Sequence, residues 1–230
     1  MSHRSILGGL RVWYRVGVPR VERIEVESVT RLFGATLALR GVSVQFSGGE
    51  LVFLEGPNGA GKSTLLAVVG TVLPPSSGSV RYALLGTDRE RAREQIGWVA
   101  HESHCYRELT GRQNVELAAR IRGVDPHAAW KRECARVGAE SFGERSVSTL
   151  SRGQRQRIAL ARALVHAPSI LLLDEPFSGL DDASSKRLES VLVEEKERGA
   201  IVIVVNHAPG LADRLGARRV RIDAGRIVQS

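Results

Sequence analysis

The chain has 230 residues, of which 43% are hydrophobic and 25% are charged, a composition typical of a soluble globular domain with a sizeable core. Its 33 lysines and arginines outnumber its 25 aspartates and glutamates, and the net charge of +8 favours an anionic partner such as a nucleotide, a nucleic acid or an acidic membrane surface. The longest apolar run, residues 200–205, is far shorter than the roughly 20 residues of a membrane-spanning helix. Two cysteines are too few for a disulfide framework, and we expect a reducing cytoplasm.

Residues 1–20 contain four arginines and no acidic residue, which predicts a basic extension outside the main domain. On a helix, Arg4, Arg11 and Arg15 would share one face and apolar residues another. This pattern fits an amphipathic segment lying on anionic lipid headgroups. A disordered tail, or an overextended start of the reading frame, explains it as well, because glycines interrupt the helix. We therefore expect the main domain over residues 21–230.

The first half of that domain alternates short β-branched runs with turn residues. This pattern predicts strands at residues 24–30, 41–46 and 51–54. A glycine-rich loop and a helix follow, and the helix begins near Lys62 and ends at Gly70, before two prolines.

The second half begins with residues 88–165, which are rich in helix formers and arginine and predict an inserted helical subdomain. Beyond it, residues 170–173 and 201–205 are continuous apolar runs separated by a charged helical segment. Such runs are typical of strands buried on both faces of a parallel sheet.

The loop before the first helix fits the pattern GxxxxGK[ST], which predicts a phosphate-binding site. Its glycines let the backbone wrap around phosphate oxygens, and the free amides at the helix N-terminus supply positive potential. The lysine reaches the β and γ phosphates, and the serine hydroxyl is a ligand of Mg²⁺. A strand before the loop and a helix after it argue against a chance glycine-rich turn. The candidate nucleotide-binding residues are Gly56, Pro57, Asn58, Gly59, Ala60, Gly61, Lys62, Ser63 and Thr64.

A second motif is the apolar strand that ends in Asp174 and Glu175. We expect Asp174, together with Ser63, to hold Mg²⁺, and Glu175 to act as the general base that polarises the attacking water. The alternative is a buried strand that happens to end in two solvated acids, and the phosphate-binding loop upstream counts against it.

Just upstream of that strand, residues 150–154 read Leu-Ser-Arg-Gly-Gln and open a basic helix, where a hydroxyl and free amides form an anion site. The segment resembles the signature motif of ATP-binding cassette (ABC) ATPases, with arginine where the commonest form has glycine. The resemblance implies that these residues face the γ-phosphate bound by a second protomer, either another copy of the chain or a homologous cassette. The residues concerned are Ser151, Arg152, Gly153 and Gln154.

Other positions follow from the same resemblance. Asp181 lies in a segment similar to the D-loop that communicates across the dimer. His207 is similar to the switch histidine that contacts the γ-phosphate and holds the attacking water, although Asn206 precedes it where threonine or serine is more usual. Phe33 matches the aromatic residue that stacks on adenine, and the alternative for it is a core aromatic.

The position usually held by the Q-loop glutamine falls on His101, with Glu102 beside it. Histidine replaces the amide poorly and can titrate near neutral pH. We therefore count His101 as a third candidate catalytic residue, with an effect on coupling to a membrane subunit. A metal or haem site is the alternative, because His101, His104 and Cys105 crowd together, but no second ligand cluster completes such a site.

The resemblance covers about residues 24–227. It implies an α/β phosphate-loop NTPase of RecA-like fold, with an antiparallel β layer and an inserted helical subdomain. The implied activity is Mg²⁺-dependent ATP hydrolysis that powers a separate membrane-spanning subunit at the cytoplasmic face of the membrane. With histidine at the Q-loop position and this form of the signature, the chain resembles the ATPase subunit of cytochrome c maturation haem exporters.

Three rival interpretations remain. Other small ABC exporters share parts of this pattern. A soluble ABC ATPase acting on DNA or ribosomes suits the basic charge. Such relatives usually have tandem cassettes or long coiled-coil insertions, and neither fits in 230 residues. We therefore expect no nucleic-acid partner. A phosphate-loop kinase or GTPase lacks the signature motif, and a GTPase would need an Asn-Lys-x-Asp motif.

Overall fold

Two β-sheets with flanking helices are formed in a computed structural model, which describes residues 20–206 and 210–229. The strands are β1 (Arg23–Phe33), β2 (Thr36–Ser47), β3 (Leu51–Glu55), β4 (Ser77–Tyr82), β5 (Ile96–Val99), β6 (Ile170–Asp174), β7 (Ile201–Val205), β8 (Arg218–Asp223) and β9 (Arg226–Gln229). The helices are α1 (Lys62–Val69), α2 (Arg89–Glu94), α3 (Gly111–Ile121), α4 (Pro126–Val137), α5 (Arg152–Leu164), α6 (Asp182–Glu197) and α7 (Leu211–Arg214).

The larger sheet has six strands in the order β5-β6-β7-β3-β8-β9, all parallel except β9. Successive side chains of β3 enter two different cores. Leu51 and Phe53 pack in the core that includes residues of helices α3 to α6, whereas Val52 and Leu54 pack in the core shared with α1 and the smaller sheet. Both faces are covered, which explains why these strands read as continuous apolar runs.

The smaller sheet is antiparallel, with strand order β2-β1-β4. Both β1 and β2 extend beyond the predicted runs, because they continue as a hairpin to the Phe33–Thr36 pair. Strand β2 passes beside the β8–β9 turn, where the Arg40 amide donates to the carbonyl of Gly225 at 2.8 Å. This contact brings the hairpin next to the glycine-rich loop. The predicted fold class, including the antiparallel layer, is confirmed.

Helices α3, α4 and α5 pack against one another and supply the inserted helical part of the fold. Their shared core includes Trp130 and Ile158, and α3 begins with a capping box formed by Thr110 and Gln113. The bounds of this subdomain at about residues 88 and 165 stay a prediction, since β5, which lies between them, pairs with β6 in the larger sheet.

The predicted basic extension lies outside the described residues except for Arg20. The Arg20 guanidinium donates to the carbonyl of Arg198 at 2.7 Å, next to the end of α6. Within residues 20–206 and 210–229, none of the helices has the length and apolar character needed to cross a bilayer.

Candidate active site

The glycine-rich loop joins β3 to α1, and its backbone geometry requires glycine at two positions. Gly56 has φ +144°, and a Cβ placed there would lie 2.0 Å from the carbonyl oxygen of Ile222. Gly61 has φ +103°, and its Cβ would lie 2.6 Å from the carbonyl oxygen of Ala38. The loop is therefore tightly wound, and its shape requires residues without a side chain at these two positions.

Lys62 begins α1 and is largely buried. Its ammonium donates to the carbonyls of Gly56 at 2.9 Å and Pro57 at 2.8 Å, so the side chain spans the loop from inside. Burial lowers the pKa of Lys62, and the carboxylates of Glu175 and Asp174 oppose that shift. The Lys62 ammonium is thus held within the loop, and it faces the carboxylates of Glu175 and Asp174.

Ser63 and Asp174 meet at the carboxyl end of β6. The Ser63 hydroxyl donates to Oδ1 of Asp174 at 3.2 Å, and Asp174 is only 9% exposed. Burial raises the pKa of Asp174, with a smaller contribution from Glu175 and opposition from the Ser63 hydrogen bond. Hydroxyl and carboxylate oxygens are the ligand types that Mg²⁺ prefers, and a dication favours the ionised form that burial disfavours. These two side chains fit a magnesium ion.

Glu175 follows Asp174 with φ +50°, a strained value for this residue type. Its backbone is fixed on both sides, because its amide donates to Val205 at 2.9 Å and its carbonyl accepts from the Ser178 amide at 3.1 Å. Its carboxylate oxygen Oε2 lies 3.4 Å from Nδ1 of His101. The structure therefore brings together Lys62, Ser63, Asp174, Glu175 and His101.

The neighbouring strand β7 ends beside these acids, since Val205 pairs with Asp174. Asn206 comes next, and its buried Nδ2 has no hydrogen-bond partner among residues 20–206 and 210–229. His207 lies outside the described residues. The sequence interpretation treated Asn206 only as a departure from the family pattern, although a polar residue directly after a buried parallel strand is itself a signal of a site at that edge.

Phe33 ends β1 and is 44% exposed, so it is not a core aromatic. The guanidinium carbon of Arg31 lies 4.7 Å from the Phe33 ring centroid, a cation–π geometry. Arg31 is held there by donation to the carbonyl of Pro74 at 3.0 Å. The sequence interpretation missed Arg31, whose spacing of two from Phe33 on a strand was the available signal.

The signature segment forms the start of α5. Ser151 accepts from the Gln154 amide at 3.2 Å, and the Gln154 side chain accepts from the Ser151 amide at 3.0 Å, a reciprocal capping box. Gly153 permits a close approach, since its Cβ would lie 2.7 Å from the carbonyl oxygen of Gly179. Arg152 covers the same glycine with its aliphatic stem. Between the signature and the phosphate-binding loop, the described part of the chain has no hydrogen bond or ion pair.

Asp181 is the N-cap of α6, and its Oδ1 accepts from the Ser184 amide at 2.7 Å. This backbone hydrogen bond lowers the pKa of Asp181. Within the chain, the carboxylate therefore begins a helix close to the signature segment.

A groove of about 560 Å³ separates the segment 101–105 from the start of α5. It is lined by the histidines of that segment and by Arg152, Arg155 and Arg107. The thiol of Cys105 points to backbone carbonyls of Ser103 and Arg155. Among the described residues, no group of three histidine, cysteine or acidic side chains is arranged to hold a metal ion.

Comparison with known proteins identifies the family. The ABC transporter family matches residues 39–178. This chain belongs to the ABC transporter ATP-binding family. The cytochrome c biogenesis ATP-binding export protein CcmA 2 of Cupriavidus metallidurans is 35% identical over 178 residues, covering 76% of this chain and 84% of the relative. The glutamine transport ATP-binding protein GlnQ of Escherichia coli is 34% identical over 215 residues, 90% of each chain.

The ABC ATPase fold is also seen in a solved dimer. The ATP-binding cassette MJ0796, in a post-hydrolysis state bound to ADP and Pi, is 30% identical, with a TM-score of 0.82 over 90% of this chain and 97% of MJ0796. The ABC ATPase described here accordingly binds ATP with Mg²⁺, hydrolyses it, and works as a dimer of cassettes with membrane-spanning subunits.

Proposed function

We propose that the cluster of Lys62, Ser63, Asp174 and Glu175 is the hydrolytic centre of this ABC ATPase. The observation that carries the proposal is the 3.2 Å contact of Ser63 with Asp174, beside the buried Lys62 and the fixed backbone of Glu175. The loop amides and Lys62 bind the β and γ phosphates. Ser63 and Asp174 hold Mg²⁺, which when bound neutralises charge developing on the phosphate oxygens.

The reaction transfers the γ-phosphoryl group to water. The water oxygen forms a bond to the γ-phosphorus while the bond from that phosphorus to the β,γ-bridging oxygen breaks, and ADP leaves. Glu175 accepts a proton from the attacking water. Lys62 faces the oxygens on which negative charge remains, and its buried ammonium interacts strongly with them because the surroundings are poorly solvated.

The remaining candidates complete the pocket. Phe33, exposed at the end of β1, stacks on adenine. Ser151, Arg152, Gly153 and Gln154, with Asp181, act across the dimer on the nucleotide bound by the other cassette. The dimeric solved structure of a similar cassette supports this role in trans. His207 contacts the γ-phosphate, and His101 affects coupling.

Two substitutions test the centre. Glu175→Gln should leave ATP binding within about twofold and lower turnover about a hundredfold or more, because the amide keeps the shape but cannot accept the proton. Lys62→Ala should instead weaken ATP binding at least about tenfold by removing charge-assisted hydrogen bonds. The exposed Lys186 on α6 provides a control, because Lys186→Ala removes the same charge elsewhere. Wild-type turnover in Glu175→Gln would show that Glu175 is not the general base.

We further propose that the transporter is an exporter linked to haem and cytochrome c maturation, with this cassette on the cytoplasmic face of the membrane. Similarity to a cytochrome c biogenesis export ATPase supports this, as does histidine at the Q-loop position. Similar identities to GlnQ and to the lipoprotein-releasing ATPase LolD make another substrate the alternative.

The substrate is tested through the membrane partner. The tagged cassette is purified from native membranes with its bound membrane subunit, and the ATPase rate of that complex is measured with and without haem. Stimulation by haem supports the proposal. Stimulation by another class of substrate, with none by haem, would replace it with a different exporter or importer.

A further inference from the structure

His101 and Glu175 are neighbours because of strand register. In the parallel pair β5–β6, Val99 is opposite Leu173. From each of these paired residues the chain continues two positions further, which places His101 beside Glu175 at the carboxyl edge of the sheet. Next to this pairing, Nδ1 of His101 lies 3.4 Å from Oε2 of Glu175. The contact thus depends on two adjacent strands that form the site.

The contact matters because Glu175 has a fixed backbone but a side chain with several rotatable bonds. A general base works only within hydrogen-bond reach of the proton that it accepts, and contacts of this kind tighten when substrate binds. A donor within reach of one carboxylate oxygen also restricts the orientation of the other oxygen. The side chain of His101 is 55% exposed, so it can move closer to Glu175 when substrate binds without repacking the core.

We propose that His101 is a positioning residue for the general base: its Nδ1–H donates to Oε2 of Glu175 and fixes the orientation of that carboxylate toward the attacking water. The inference rests on the proposed function, since it assigns the orientation of the base named there. It differs from a role in nucleotide binding or in coupling alone, because it acts in the isolated cassette dimer, without a membrane subunit.

A matched set of variants tests whether Nδ1 of His101 is the donor. Asparagine places an amide nitrogen at the same number of bonds from Cα as Nδ1 of histidine, whereas alanine removes the donor. His104 provides the control, since it is exposed in the same segment and has φ +46°, a conformation that asparagine tolerates. His104→Asn therefore makes the same chemical change three residues away.

The experiment measures ATP affinity by direct titration and kcat and KM by steady-state hydrolysis, with Mg²⁺ and the isolated cassette. We expect His101→Ala to lower kcat about tenfold to a hundredfold while the Kd for ATP changes less than about twofold. His101→Asn should recover most of the loss, and His104→Asn should match the wild type. This split between kcat and affinity, with rescue, is not the result of a general structural defect.

The outcomes separate this inference from the proposed function. If Glu175→Gln abolishes turnover while His101→Ala retains the wild-type kcat, the positioning role is wrong and the base assignment stands. If His101→Asn is as slow as His101→Ala, donation from the Nδ1 position is wrong. If Glu175→Gln hydrolyses ATP at the wild-type rate, the proposed function itself fails, whatever the His101 variants do.

Discussion

Arg136 of α4 lies 2.7 Å from Glu195 of α6, and the two side chains join the helical part of the fold to the helix beside the larger sheet. The same guanidinium is 3.0 Å from Glu133, which is fully buried. Burial by itself opposes the charge on Arg136, but Glu133 and Glu195 raise the pKa of Arg136 above its ordinary value. One arginine thus pairs with two buried carboxylates from different helices.

Replacement of this arginine should destabilise the fold. Among residues 20–206 and 210–229, Arg136→Met leaves Glu133 paired with Arg132 and Glu195 paired with Arg198. Breaking a buried pair by removing one partner leaves poorly compensated charge, and we expect a loss of about 3 kcal/mol in the free energy of unfolding, measured with urea. The exposed pair Arg23–Glu25 is the control, since Arg23→Met should cost less than about 1 kcal/mol. Equal effects of the two substitutions would contradict the network.

The glycine-rich loop gives a second test, which separates strain from collision. Gly59 has φ +78°, and a Cβ added there would meet no heavy atom within 4 Å, so Gly59→Ala should cost only the backbone strain of about 1–2 kcal/mol. Gly61→Ala adds a collision with the Ala38 carbonyl at 2.6 Å and should cost clearly more. Unfolding in urea without nucleotide measures both variants. Equal losses would mean that the loop can shift away from β2.

Mixing two variants that are each damaged at a different motif tests the signature in trans. Lys62→Ala damages the phosphate-binding loop, and Ser151→Arg damages the signature and its helix cap. A heterodimer of the two has one pocket made of two intact halves, so ATPase activity should partly return when exchanging subunits are mixed. Melting temperatures of each variant alone check that both fold. Full activity in a strictly monomeric enzyme at every nucleotide concentration would contradict the composite pocket.

His166 predicts an acid sensitivity of the fold. Burial, aided by the charge of Arg122, lowers the pKa of His166 to about 3. The unfolded chain binds a proton to this histidine below about pH 6.5, whereas the folded chain does not, so stability falls as the pH drops from about 6.5 toward 3. The free energy of unfolding that His166 contributes falls by up to about 1.4 kcal/mol for each unit by which the pH is lowered in this range.

A substitution isolates that contribution. His166→Gln should have a shallower dependence of the unfolding free energy on pH between about 6.5 and 4, because the titrating group is gone. His127→Gln, at an exposed position on α4, should keep the wild-type slope. Identical slopes in wild type and His166→Gln would show that another group causes the acid sensitivity.

The sequence alone determined the family and the chemistry of this protein. Glycines at fixed spacing before Lys62, two acids after a buried strand, and the Ser-Arg-Gly-Gln segment are local patterns, because each depends on residues adjacent in the chain. Continuous apolar runs likewise predicted the central strands β3, β6 and β7, since strands covered on both faces need no polar alternation.

Only the tertiary structure decided which distant residues meet. The register of β5 on β6 places His101 against Glu175, although 74 positions separate them in the sequence. The tie between α4 and α6 through Arg136 was likewise invisible, because on the sequence it reads as one arginine among many. Such contacts arise from strand order and helix packing, which bring together side chains whose local sequences carry no signal of each other.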